Sequence, residues 1–194
     1  MARSINYFHP VVDLITSDER LELIKIFNDI DEFRYLKPEG SVSRRASNKI
    51  SADLKHGDAK FTETYSDKYP LCNELVERYN GSVWTFLHVK AGKGIWRHAD
   101  YKQTRKCCIT FPLYPDYSEY ANTNFYDDLT QEEPSAYLNY GVVRSPTLIN
   151  VNKFHAVEKA TKDRLAFQIQ FFHTSDYKTV RRQMQMNKLL TASV

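Results

Sequence analysis

The sequence predicts a mainly β fold, a double-sheet jelly roll or a barrel, with helices flanking it. Between Val83 and Phe172, β-branched and aromatic runs recur at short intervals and are punctuated by glycine and proline. No helical pattern intervenes between these runs, which argues against a parallel α/β sheet. Helical periodicity is confined to the segments before and after them.

The first helix is expected from Ser17, read as its N-cap, through SDERLELIKIFNDI. There Leu21, Leu23, Ile24, Ile26 and Phe27 fall largely on one face and acidic residues occupy the first turn. A polar passage from Pro38 to about Lys60 (PEGSVSRRASNKISADLKHGDAK) reads as a mobile surface segment. A second helix is expected over Tyr69 to Arg78, with Leu71, Leu75 and Val76 at helical spacing. From Val83 the period becomes that of strands: VWTFLHV, GIWRH, KCCITFPLY, TNFYD, AYLNYG, TLINV, FHAVE and RLAFQIQFF, about eight in all. The charged tail KTVRRQMQMNKLL reads as a final helix, about 175–190. With no internal repeat and no dividing linker, 194 residues are expected to form a single domain: helical support over about 1–82, a β core over about 83–172 and the C-terminal helix.

A hydrophobic content of 42% with 26% charged residues is that of a globular chain that buries one core. The N-terminus carries one basic residue ahead of a short apolar stretch broken by Pro10 and Asp13, so neither a signal peptide nor a membrane anchor is expected. Cys72, Cys107 and Cys108 are odd in number and lack CxxC spacing, which argues against a disulfide framework and a structural zinc site and favours a reducing, cytoplasmic setting. Core packing is the simplest reading of Cys107 and Cys108. The sequon Asn80-Gly81-Ser82 then reads as a turn. A net charge of +3 does not require a nucleic-acid partner; Arg44-Arg45 and Arg181-Arg182 read as solvated surface.

Chemistry is concentrated in GKGIWRHADYKQTRKCCITFPLYP. On a strand, residues two apart point to the same side, so His98 and Asp100 can offer an imidazole nitrogen and a carboxylate oxygen to one ion. A lone HxD is common, and a lone histidine is more often a structural one bonded to a backbone carbonyl. A third ligand is needed. Of His9, His56, His88, His155 and His173, only His155 is well placed, opening FHAVE after the apolar TLINV; His9, His56 and His173 read as ordinary surface or loop residues. Two imidazoles and one carboxylate leave three positions open on an octahedral ion, the facial triad of non-haem Fe(II) oxygenases. Nine residues after His155, Arg164 begins RLAFQIQFF. Alternation puts Arg164, Ala166, Gln168 and Gln170 on one face and Leu165, Phe167, Ile169 and Phe171 on the other. Such a strand suits a wall around a polar ligand, and a guanidinium there can grip a carboxylate with two parallel hydrogen bonds.

Taken together, HVKAGKGIWRHAD, RKCCITFPL and HAVEKATKDRLAFQIQFF resemble the iron(II)- and 2-oxoglutarate-dependent dioxygenases, in particular their prolyl-hydroxylase branch. The resemblance spans about Val83 to Phe172. It implies a double-stranded β-helix (jelly roll, cupin-like) with flanking helices. It also implies Fe(II) held by His98, Asp100 and His155, and 2-oxoglutarate paired through its distal carboxylate with Arg164. The implied activity is O₂-dependent hydroxylation of an unactivated C–H bond, with 2-oxoglutarate converted to succinate. Two positions depart from the family pattern: His88 and Pro112 stand near where co-substrate-facing tyrosines are expected. His88, which reads equally as a core histidine, is a candidate for the co-substrate pocket, as are Arg105, alternatively for meeting the substrate, and Asn150. Trp96 and the many tyrosines nearby are either pocket wall or core. The segments 38–60 and 117–134 are expected to form loops over the mouth. On resemblance, the substrate is a protein or peptide side chain. Hydroxylation of a small molecule or free amino acid, and a non-catalytic jelly-roll binding module, are the alternatives.

Overall fold

The computed structural model describes residues 6–30, 34–35, 59–61, 68–100, 105–172 and 176–191. Two antiparallel sheets form its frame. The larger has seven strands in the order β1-β9-β6-β11-β4-β3-β2, with β1 Phe8–Pro10, β2 Arg34–Tyr35, β3 Ala59–Phe61, β4 Val83–Val89, β6 Arg105–Tyr114, β9 Thr147–Ile149 and β11 Arg164–Phe172. The smaller has four in the order β5-β10-β7-β8, with β5 Ile95–His98, β7 Thr123–Tyr126, β8 Ala136–Leu138 and β10 Phe154–Val157. From β4 to β11 the chain crosses repeatedly between the sheets, which is the winding of a double-stranded β-helix. The eight strands expected from the sequence are β4 to β11. The polar passage 38–60 lies outside the described residues except for Ala59 and Lys60, which open β3 and so belong to a strand. His56 and His173 also lie outside them.

β11 decides the layering. It is the central partner of both β4 and β6, and its alternation sends two kinds of surface in opposite directions. Leu165, Phe167, Ile169 and Phe171 join Trp84 and Phe86 of β4 and Cys107, Ile109 and Phe111 of β6 in a core under the helices. Ala166 and Cys108 face the other way, into a second cluster between the sheets with Phe8, Phe125, Leu138 and Ile149. Each buried aliphatic or aromatic side chain there contributes roughly 1.5–3 kcal/mol of transfer free energy.

Three helices cover the outer face. α1 spans Ser17–Asp29, and its N-cap is Thr16, one residue before the expected Ser17. The Thr16 hydroxyl accepts from the Glu19 amide while the Glu19 carboxylate accepts from the Thr16 amide, a reciprocal capping box. α1 buries Leu23, Ile26 and Phe27; Leu21, expected on the same face, is 61% exposed. α2 (Pro70–Arg78) starts with proline, whose missing N–H costs nothing in a first turn, and buries Cys72, Leu75 and Val76. Asn80-Gly81-Ser82 is indeed the turn between α2 and β4: Asn80 is left-handed (φ 53°), and a Cβ on Gly81 would lie 2.2 Å from Ile169 Cγ2. A short helix, α3 (Tyr140–Val143), replaces the second half of the strand expected in AYLNYG, because the Asn139 side chain accepts from the Val142 amide and starts a helical turn. α4 (Tyr177–Met186), capped by Asp176, packs Tyr177, Val180 and Met184 on the outer core. His9, expected at the surface, is 7% exposed in β1, with Nε2 3.2 Å from the Thr191 carbonyl.

Glu19 also receives Arg78 at 2.8 Å, so one carboxylate joins the start of α1 to the end of α2. The Arg78 hydrogen bond is the chief cause that lowers its pKa from 4.5 to about 2. A depressed carboxylate pKa stabilises the fold fully above the unfolded value and loses that contribution as pH falls through the folded one. Glu19→Gln should therefore be less stable than wild type near neutrality, by about 1 kcal/mol. In urea titrations that gap should close as the pH is lowered from 4.5 towards 2. A gap independent of pH would assign the effect to capping alone.

Candidate metal centre

The two histidines meet because β5 and β10 are hydrogen-bonded neighbours with His98 directly opposite His155. Alternation then puts both rings on the inner side of the small sheet, beside Phe125 of β7, which pairs with His155 from the other side. Between His155 and Val157 the register shifts, so β5 carries one residue more than β10 over the interval from His98 to Ile95. This bulge re-aims the end of β5 at the point where His98 leaves the strand. Gly94 permits the close approach: a Cβ there would lie 2.5 Å from the Val157 carbonyl oxygen. Asp100, two residues on, is tethered through its amide to the Val151 carbonyl at 2.8 Å.

The resulting cluster is tight and enclosed. Ligand atoms of His98, Asp100 and His155 all lie within 4.8 Å of one another, and the imidazole centroids are 4.3 Å apart. Asp100 is 5% and His155 8% exposed. Each histidine has its Nδ1 on a backbone carbonyl, His98 on Trp96 at 2.7 Å and His155 on Lys153 at 2.9 Å. A carbonyl only accepts, so both Nδ1 atoms carry the proton, and in a neutral ring Nε2 presents its lone pair. His98 Nε2 stands 3.7 Å from Asp100 Oδ1, too long for a direct hydrogen bond. Lone pair facing carboxylate is repulsive unless a cation lies between them. The carbonyl contacts are thus those that orient metal-bound histidines, and the nitrogen–oxygen donor set fits a first-row divalent ion with open positions. The same contacts supply what a structural histidine would have; the convergence of three ligand atoms within 4.8 Å is what marks the cluster as a donor set.

Arg164 occupies the inner face of β11, 3% exposed, as alternation requires. Its guanidinium lies over the Tyr120 ring, Cζ 5.3 Å from the centroid, and its Nε has no hydrogen-bond partner. Among the described residues no carboxylate pairs with it. Burial pushes the Tyr120 hydroxyl up to about 12, against the opposing pull of Arg164. Tyr140 of α3 meets Tyr120 edge-on at 5.1 Å, and its buried hydroxyl is also without a partner. Thr110 and Gln168 complete this polar interior through a 3.2 Å hydrogen bond. Tyr120 and Tyr140 were not singled out in the sequence: one follows a short 3₁₀ turn (Tyr117–Glu119), the other sits where a strand was expected, and neither has a spacing that marks it.

The other candidates are placed elsewhere. His88 lies on the helix side of β4, its ring 5.5 Å from Phe27 and its Nε2 3.1 Å from Asp163, because it pairs with Leu165 and not with an inward residue. Asn150 donates to the Asn6 carbonyl and lines an open groove of about 470 Å³ with Asp127, Lys153, Phe154 and Lys178. Arg105 begins β6 opposite Phe172, at the far end of β11 from Arg164; its side chain lies outside the described residues. Pro112 is accommodated at a bulge, where Tyr114 and Pro112 oppose consecutive residues of β11. Trp96 belongs to β5, half-buried, and holds His98 through its carbonyl.

The fold is that of solved iron and 2-oxoglutarate oxygenase structures. A Pseudomonas putida prolyl-4-hydroxylase superposes with a TM-score of 0.58 at 13% identity, over 89% of this chain and 96% of that one. SnoN, a non-haem α-ketoglutarate-dependent epimerase of nogalamycin biosynthesis, gives 0.58 at 11% identity, over 90% and 82%. A Trichoplax adhaerens prolyl hydroxylase in complex with a hypoxia-inducible-factor peptide gives 0.52 at 14%, over 93% and 91%. At such identities the likeness is one of fold. No protein-family model matches the chain, and no curated protein matches it. Among the described residues no helix is long and apolar enough to cross a membrane.

Because Gly94 lets β5 lie against β10, Gly94→Ala should push His98 away from His155 without touching a ligand. Co(II) or Mn(II) affinity should fall about 10–100-fold, with the far-ultraviolet circular dichroism retained. Unchanged affinity would show that the close approach does not hold the donor set.

Proposed function

We propose that the protein is an iron(II)- and 2-oxoglutarate-dependent oxygenase that hydroxylates an unactivated C–H bond, on a protein or peptide side chain. The observation that carries this reading is the presence of two sites in one interior: a His₂Asp donor set and a buried guanidinium that no carboxylate of the described residues meets. A 2-oxo dicarboxylic acid answers both, chelating an ion at one end and meeting Arg164 at the other. His98, Asp100 and His155 would hold the iron, and Arg164 the distal carboxylate. Bound iron(II) supplies the activation of O₂, coupled to decarboxylation of 2-oxoglutarate to succinate.

The remaining work falls to the chain. Donation from Nδ1 to the carbonyls of Trp96 and Lys153 fixes which nitrogen each histidine offers and holds its ring plane. Burial of Arg164 strengthens its attraction for an anion, since little water competes there. Phe8, Phe125 and Ile149 wall the space between the sheets with apolar surface, which keeps stray reductants and water from the reacting centre. The likeness in fold to a prolyl hydroxylase solved with a peptide supports a protein or peptide substrate.

Under anaerobic conditions Fe(II) and 2-oxoglutarate together should give a metal-to-ligand absorption band, and admission of O₂ should yield succinate. Absence of both would overturn the oxygenase reading in favour of a binding module. His98→Ala and Asp100→Ala should abolish 2-oxoglutarate turnover with the fold retained. Arg164→Ala should raise the 2-oxoglutarate concentration needed for half-maximal turnover about 100-fold, as expected for truncating one partner of a buried charge pair, while metal binding survives. Peptides that accelerate succinate formation and gain one oxygen by mass would support the substrate class; acceleration by free amino acids alone would contradict it.

A further inference from the structure

We infer that Arg97 is a positioning residue for the metal centre: its side chain ties the strand that presents His98 to the far half of the small sheet. This rests on reading His98, Asp100 and His155 as a metal-binding donor set. β5 is weakly held for a strand with that task. It has four half-buried residues at the edge of its sheet, and its register with β10 is carried by His98 opposite His155 and Ile95 opposite Val157, with the bulge between them. An interrupted ladder at a sheet edge leaves a strand free to open locally. After His98 the chain is fixed through the Asp100 amide on the Val151 carbonyl. Before His98, Arg97 does the fixing.

Arg97 immediately precedes an inward-facing ligand, so its side chain leaves on the outer face of the sheet. It crosses β10 and lays its guanidinium on the Tyr126 ring of β7, with Cζ 3.5 Å from the centroid. β7 is two strands away, about 10 Å, a distance that only a long side chain spans. Tyr126 points outward, since its neighbour Phe125 faces the space between the sheets, yet it is only 7% exposed. Arg97 also donates through Nη1 to the Leu129 carbonyl at 2.9 Å and to the Gln131 carbonyl. Both belong to the loop between β7 and β8, which is itself fastened. Asp128 accepts from the Thr130 and Gln131 amides at 2.7 and 2.9 Å, Gln131 donates to Ser135 at 2.9 Å, and Asp127 accepts from the buried Tyr7 hydroxyl at 2.7 Å. A guanidinium holds this anchor with a flat stack and charge-assisted hydrogen bonds together, a combination no other side chain offers. Lys153, whose carbonyl orients His155, reaches the same loop through Asp127 at 3.3 Å. That pair is exposed and long, so Arg97 carries the larger share of the bracing.

Co(II) alone is the probe, added to the full chain without 2-oxoglutarate or O₂, so that no turnover enters the readout. Arg97→Ala should weaken Co(II) binding ~10-fold, the effect of removing a partner that lies beyond the ligands themselves. It should also shift the visible ligand-field bands of the bound ion, because His98 no longer keeps its direction. Tyr126→Leu, which removes the stacking face, should act in the same sense and to a smaller extent, and Tyr126→Phe, which keeps that face, should match wild type. Joined to Arg97→Ala, Tyr126→Leu should add no further loss, since both remove one stack. Arg78→Ala cuts the ion pair between α1 and α2 and is the control for stability: it should lower the thermal midpoint and leave Co(II) affinity and bands as in wild type. Wild-type affinity and bands in Arg97→Ala, or the same losses in Arg78→Ala, would overturn the positioning role while the donor set stands. A wild-type protein that binds no Co(II) would overturn the donor-set reading, and this role with it.

Discussion

The alternation of β11 is the constraint from which the rest of the molecule follows. Hydrogen-bonded to β4 on one side and β6 on the other, it has no freedom to rotate, and its residues must divide strictly between two environments. The apolar set enters the core beneath α1, α2 and α4; the set that begins with Arg164 enters the space between the sheets. A slip of one residue would bury Gln168 and Gln170 against Trp84 and Phe86 and turn Phe167 towards the ligand space. Because both faces are packed, that slip is prohibitively costly, and the position of Arg164 is as firmly set as the hydrophobic core itself.

The small sheet is registered by the same logic with a different outcome. Its inner face holds His98 and His155 side by side, with Phe125 against them, and its bulge and the contact of Gly94 with the Val157 carbonyl adjust one strand against the next. A fold built of two sheets wound together thus places a donor cluster from one sheet and a cation from the other in a common interior. Neither sheet alone brings them together. This is why the site needs residues so far apart in the chain as His98 and Arg164, and why the span between them contains most of the β core.

Much of this was legible in the sequence because the strands are long in information even where they are short in residues. β4, β6 and β11 announce themselves by β-branched and aromatic runs, and the face assignment of β11 was readable from alternation alone. The triad was readable because two of its members lie two apart at the end of one strand. What escaped notice was set by contacts that leave no local trace. β1 and β3 have three residues each and β1 contains proline, so their pairing is decided by the neighbour they meet. Thr16 displaces Ser17 as the cap because the reciprocal bond needs Glu19 three positions on, a spacing Ser17 lacks. His88 was drawn towards the pocket by family likeness, yet its parity on β4 already opposed that, since it alternates with Trp84 and Phe86. Tyr120 and Tyr140 could not be told from core aromatics, because only the folded chain shows the Arg164 guanidinium over the one ring and the unpartnered buried hydroxyl of the other.

The charges of the interior suggest how its ligands depend on one another. On the proposed reading Asp100 contributes one negative and Arg164 one positive charge, and they belong to separate subsites. A divalent ion alone would leave the interior with an excess of two positive charges; a dicarboxylate alone would leave an excess of two negative ones beside Asp100. Among the described residues, both together leave these two subsites with no net charge. Burying net charge in a poorly hydrated space is costly, and the cost is removed by whichever ligand arrives second. Metal and co-substrate must therefore strengthen each other's binding, and by thermodynamic reciprocity to the same degree. That coupling needs no conformational change, only the seclusion that two sheets wound around one polar interior provide.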